Sequence, residues 1–207
     1  MNKLITEGIG TFFLVLTIGL AISSGTPFAP LVIGTGLMGM IYMGGHISGA
    51  HYNPATTLGF LMNGKIESGE ALKYVGTQLI GAVLAGIASS YLTGNTLTIA
   101  PEADAARALF AEILFTFALV LVILQVAIND ATKGNAYYGL AIGVIVMAGV
   151  WAVGDISGGV FNPAVGLGAI LVDAVLGDGG FGNLWLYIVG PLVGGALAAI
   201  VFKLQVS

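Results

Sequence analysis

The stretch Gly45–Gly59, GHISGAHYNPATTLG, returns without gaps as Gly154–Gly168, GDISGGVFNPAVGLG, and the two copies agree at nine of fifteen positions. Each box holds Asn-Pro-Ala at the same place: Asn53, Pro54 and Ala55 in the first, Asn162, Pro163 and Ala164 in the second. Asn is a favoured N-cap and Pro suits the first helical turn, so each triplet predicts the start of a helix. The apolar segments Asn53–Met62 and Asn162–Val172 would each rise about 15 Å, half of a hydrocarbon core. Neither can span a bilayer alone. Two half-helices in a membrane chain point to a channel or a carrier.

Working outward from the boxes, the rest of the chain is membrane-like. Of its 207 residues 57% are hydrophobic and 8% charged, with a mean hydropathy of +1.00. Soluble domains carry about 25% charged residues, so the class is an all-α polytopic membrane protein. With no cysteine, disulfides, thiol catalysis and cysteine metal sites are excluded. Two histidines without a metal-binding pattern leave little for a metal, and no cofactor is expected. A net charge of −4 spread over loops suggests no nucleic-acid partner. The N-terminal apolar run reads as a span rather than a cleaved signal.

Six spans are expected, at about Leu4–Ser23, Leu31–Met43, Ser68–Tyr91, Ala106–Ile128, Tyr137–Val153 and Leu184–Lys203. Residues 1–92 form one repeat and 106–207 a second, joined by a polar extracellular linker, 93–105. Each repeat reads as a span with one acid, a span, a box with its half-helix, and a span. Glu7 lies 105 residues before Glu112, and Asn53 109 before Asn162. Three spans are an odd number, so the second copy enters the membrane inverted. Such repeats place a transport site at the midplane, where discontinuous helices meet. Lys3, Lys65, Lys73, Lys133 and Lys203 fall on one side and Arg107 on the other, which predicts cytoplasmic termini.

Both boxes (HISGAHYNPA in the first), the opening TEGIGTFFLV with its repeat AEILFTFALV, and the ending LWLYIVGPLVGGALAAIVF resemble the aquaporins of the major intrinsic protein family. The resemblance covers essentially the whole chain. It implies six transmembrane helices plus two re-entrant half-helices, a homotetramer of independent pores in a plasma or bacterial inner membrane, and water or small uncharged solutes as cargo. Asn53 and Asn162 would then stand in the pore wall. Each half-helix N-terminus carries about +0.5 charge and free N–H donors. Two facing one lumen repel cations and turn a passing water's oxygen toward them. The carbonyls of His46–Tyr52 and Asp155–Phe161 are expected to lie outside regular helix and line two vestibules.

One departure bears on cargo. Orthodox water channels carry Arg three residues after the second box's Asn, where this chain has Val165. The family's other filter positions fall by count on Ile33, Val150 and Gly159, so the constriction is expected to be apolar and uncharged. Gly166 stands where glycerol-conducting relatives usually carry Asp. Loss of Arg removes a cation barrier, while an apolar ring raises the cost of stripping polar solutes of water.

Other residues have plainer readings. Glu7 and Glu112 are intramembrane acids, which default to function; in this family they look structural, accepting hydrogen bonds from the segment before each half-helix. His46 and Asp155 share a box position and, with His51, are expected in the vestibules. Trp151 neighbours Val150 and reads as packing or lipid contact, with a pore-facing indole as the alternative. Ser157 lacks a His/Asp pair, so no nucleophilic site is expected. Two functions remain: a passive channel for water or small neutral solutes, and an ion-conducting or proton-coupled transporter using Asp155, His46 and the missing Arg.

Overall fold

A computed structural model describes residues 1–206. Eight α-helices follow one another: α1 Asn2–Ser23, α2 Ala29–Ser48, α3 Pro54–Met62, α4 Ser68–Thr93, α5 Ala105–Ala127, α6 Tyr138–Ser157, α7 Pro163–Leu176 and α8 Leu184–Val206. Six of them have 20–26 residues and are long and apolar enough to cross a membrane; at 1.5 Å per residue they reach about 30–39 Å. The other two, α3 and α7, are the short ones. Ile9, Phe13, Leu84, Phe110, Val144 and Leu197 are exposed on the outer faces. With no water to satisfy backbone groups there, an all-helical chain is what a bilayer permits.

The packing repeats with the sequence. Helix α1 lies against α2 and α4, and α5 against α6 and α8; α2 crosses α6 at the centre. The half-helices exchange sides, α3 packing on α8 and α7 on α4. Small residues make the crossings close. A Cβ added at Gly34 or Gly143 would stand 2.5 Å from the other's carbonyl oxygen, and one at Gly81 or Gly194 equally near the carbonyl of Gly8 or Ile113. Backbones can approach this far because nothing projects between them.

Three expectations are revised. Helix α2 runs to Ser48 rather than Met43, and α6 to Ser157 rather than Val153. The glycines at 44 and 45 look like breakers but act as space: a Cβ on Gly44 would overlap the Tyr52 hydroxyl. The non-helical carbonyls therefore belong to Gly49–Tyr52 and Gly158–Phe161, not to segments starting at His46 and Asp155. Helix α7 continues past Val172 to Leu176 because Asp173 does not open the loop. Its side chain is buried and accepts from the Thr96 hydroxyl, and the helix stops at Gly177.

Candidate functional site

Each box turns the chain from a span into a half-helix within four residues. Helix α2 ends at Gly49 (φ 88°) and α6 at Gly158 (φ 91°), left-handed caps that a glycine adopts without strain. The left-handed backbone continues at matched positions: Ala50 (φ 51°) with Gly159 (φ 62°), and Tyr52 (φ 50°) with Phe161 (φ 51°). Non-glycine residues in this region cost about 1–3 kcal/mol each. Something must hold them.

The buried acids do so. Glu7 Oε1 accepts from the Ser48 hydroxyl (2.7 Å) and the His51 N–H (3.0 Å); Oε2 accepts from the Tyr52 N–H (2.8 Å) and the Gln78 amide (2.9 Å). Glu112 repeats the pattern: Oε1 with Ser157 (2.7 Å) and the Val160 N–H (3.0 Å), Oε2 with the Phe161 N–H (2.7 Å). Donors alone converge on each group, which suits an acceptor-only carboxylate. Tyr74 and Tyr187 complete the brace by donating to the carbonyls of Ser48 and Ser157.

The Tyr52 ring is fully buried in a slot where Cβ atoms on Gly10 or Gly44 would overlap it. Gly10→Ala is expected to force this ring out of place and lower stability by about 1–3 kcal/mol, read as a lower unfolding temperature in detergent; an unchanged midpoint would mean the slot is not close-packed.

The two half-helices meet through their caps. Asn53 Oδ1 accepts from the Ala55 N–H (2.8 Å) and Asn162 Oδ1 from the Ala164 N–H (2.9 Å). Each amide nitrogen then crosses to the other box: Asn53 Nδ2 donates to the Phe161 carbonyl and Asn162 Nδ2 to the Tyr52 carbonyl, both at 2.9 Å. A primary amide has two N–H groups. One locks the halves together and one per Asn remains.

A cavity of about 650 Å³ runs past this pair. Asn53, Asn162, Ile33, Val150, Gly159, Val165, His51 and Asp155 all line it, and Trp151 does too. The wall between is apolar, with Leu14, Ile18, Leu37, Ile41, Ile142 and Val146. His51 is buried, its Nδ1 3.1 Å from the Thr57 hydroxyl. His46 is exposed and stands outside this lining. Asp155, its counterpart, is exposed and lines the cavity together with the linker.

Several residues at the site were not singled out from the sequence. The linker, read as a joint, lines the cavity with Leu97, Thr98, Ile99, Ala100 and Glu102. Ser48, Ser157 (read from the sequence only as lacking a nucleophile's partners), Tyr74, Tyr187 and Gln78 brace the acids and the carbonyls beside them. The repeat offered a signal for the first four, because Ser48 and Ser157 share a box position and both tyrosines follow at similar spacing. Gly166 faces Tyr187, whose Cβ would stand 2.5 Å from an added Cβ, so no larger side chain fits there.

Six spans around two capped half-helices, with a lumen where the caps meet, define a multi-pass membrane channel. The chain belongs to the major intrinsic protein family: the family model "Major intrinsic protein" matches residues 1–202. These are channels, not enzymes. The chain is 35% identical to the putative aquaporin NIP4-1 of Arabidopsis thaliana over 98% of this chain and 74% of that protein. It is also 35% identical to glycerol uptake facilitator protein-like 6 of Lactiplantibacillus plantarum, over 100% of this chain and 99% of that protein. Among solved structures it resembles the aquaglyceroporin from Plasmodium falciparum, with a TM-score of 0.87 at 22% identity, covering 98% of this chain and 95% of that one. That likeness establishes the fold.

Proposed function

We propose that the chain is a passive channel for water and small neutral solutes. Its route runs between Asn53 and Asn162, with Ile33, Val150, Gly159 and Val165 as an apolar outer constriction, His51 in the inner vestibule and Asp155 at the outer mouth. The observation that carries this reading is the reciprocal lock of the two Asn side chains inside a lumen walled by aliphatic residues. The lock fixes two half-helix N-termini toward one point, and their positive ends oppose cations there. Each Asn keeps one N–H for a passing oxygen. A water held by both cannot also carry a proton forward in a hydrogen-bonded chain.

Repeats 1–92 and 106–207, joined by 93–105, enter the membrane with opposite polarity, and both termini are cytoplasmic in a plasma or bacterial inner membrane. The lysine distribution supports this orientation. Assembly as a homotetramer follows the family resemblance. Ion conduction is the second reading, favoured by Glu102 and Asp155 along the cavity and by the absence of a cation at position 165. The aliphatic wall argues against it, because a bare ion finds no ligand there.

Stopped-flow light scattering of proteoliposomes tests the proposal, with an impermeant osmolyte for water and with glycerol and urea as solutes. Water or at least one solute should equilibrate faster than in empty liposomes. Equal rates for all three would contradict the reading.

A further inference from the structure

The geometry points to Thr56 as a solute-contacting hydroxyl that sets specificity on the inner side of the Asn pair. This inference rests on the channel reading above. Thr56 lies three residues after Asn53, as Val165 lies three after Asn162, so the two are counterparts in the repeat. Residues i and i+3 share a helix face, and all four line the same cavity. The polar atom absent at position 165 is thus present at position 56. It stands about 4.5 Å further along α3 from its cap, by the helix rise.

The hydroxyl has no protein partner, for a local reason. A Thr inside a helix ordinarily donates to the carbonyl four residues back. Thr57 does so, to Asn53 at 3.1 Å. For Thr56 that carbonyl belongs to Tyr52, which lies outside the helix with left-handed backbone and accepts from Asn162 instead. Thr56 is 1% exposed, and its Oγ1 has no hydrogen-bond partner among the described residues. A buried hydroxyl left so costs about 1–3 kcal/mol. Asn53, Thr56, Asn162 and Val165 line one cavity, which places the Thr56 side chain beside a solute in it.

The chemical consequence is a preference for two polar groups in one molecule. The remaining Asn N–H groups are donors; the Thr56 hydroxyl both donates and accepts. A diol or triol bonds to the Asn pair through one oxygen and to Thr56 through the next, with its carbon edge against the aliphatic wall. A single water satisfies one station at a time. Thr56 therefore acts on polyols more than on water.

The test uses full-length protein in proteoliposomes, with glycerol influx and osmotic water flux measured on the same preparations. Thr56→Val keeps the shape and removes the hydroxyl. It is expected to lower glycerol permeability about three- to tenfold, while water permeability stays within about twofold. Thr56→Ser keeps the hydroxyl and should hold glycerol flux within about twofold of the unsubstituted protein. Undiminished glycerol flux in Thr56→Val overturns the inference and leaves the channel reading intact. Equal losses in both variants also overturn it, because the methyl rather than the hydroxyl would then be responsible. Glycerol influx no faster than in empty liposomes with the unsubstituted protein, beside accelerated water flux, removes the polyol preference alone. If water too is unaccelerated, the channel reading falls and this inference with it.

Discussion

Val165→Arg is expected to lower glycerol permeability by at least about tenfold, equivalent to about 1.4 kcal/mol of added barrier, and to reduce any cation leak. Val165 sits at the third position of α7, 2% exposed, in the lining shared with Ile33, Val150 and Gly159. Its cluster partners Val15, Ala82, Ala85 and Ala164 fill the space behind it. An Arg there has no room to turn away, so its stem and guanidinium enter the lumen. The group adds a fixed positive charge and five N–H donors, narrows the passage and opposes cations. Water, smaller and able to accept from the guanidinium, should lose less than glycerol. Val165→Met separates the causes: it narrows the lumen without charge, so glycerol falls while cation leak does not. An unchanged solute profile in Val165→Arg would mean that position 165 does not bound the constriction.

The other large effect is on folding. Glu7→Gln and Glu112→Gln should each destabilise the protein by about 2–5 kcal/mol, because each turns an amide donor onto backbone N–H groups that then lack an acceptor. Those N–H groups belong to the strained turns at Tyr52 and Phe161. The two variants should differ. In the first repeat Gln78 can flip its amide and accept from the new Gln, since its Oε1 has no hydrogen-bond partner among the described residues. Counting from Tyr74 and Tyr187, the counterpart of Gln78 is Pro191, which offers no such group. Glu112→Gln is therefore expected to be the more damaging, read as the larger drop in unfolding temperature in detergent. Midpoints equal to that of the unsubstituted protein would show that the carboxylates do not hold the turns.

The sequence showed much of this scaffold because helices in a membrane are long, apolar and separated by polar breaks. The twin boxes carried the rest: an N-cap and a Pro start a helix wherever they stand, and Asn53 and Asn162 cap α3 and α7. Helix ends were less legible. Gly44 and Gly45 have the composition of a break, yet their role is to admit the Tyr52 and Tyr138 rings, and only packing reveals that. Asp173 looked like loop because its partner Thr96 lies 77 residues away. Because α2 runs on to Ser48, about one and a half turns past Met43, His46 lies in helix rather than in the turn that follows. The crossed bonds from each Asn to the opposite box could not be read from local sequence, because they join residues more than a hundred positions apart. Thr56 was readable in principle. Aligning the boxes on their Asn residues sets it against Val165, but its missing partner depends on the left-handed turn at Tyr52.

On the proposed channel reading, neutral solutes pass this lumen and ions do not. Its most direct test measures both in one preparation of proteoliposomes: osmotic water and glycerol flux by light scattering, and proton flux by an entrapped pH dye under a clamped potassium diffusion potential. Water or glycerol flux should exceed that of empty liposomes, with proton flux indistinguishable from theirs. Proton flux that rises with protein content, beside water and glycerol rates no faster than in empty liposomes, would contradict the channel reading.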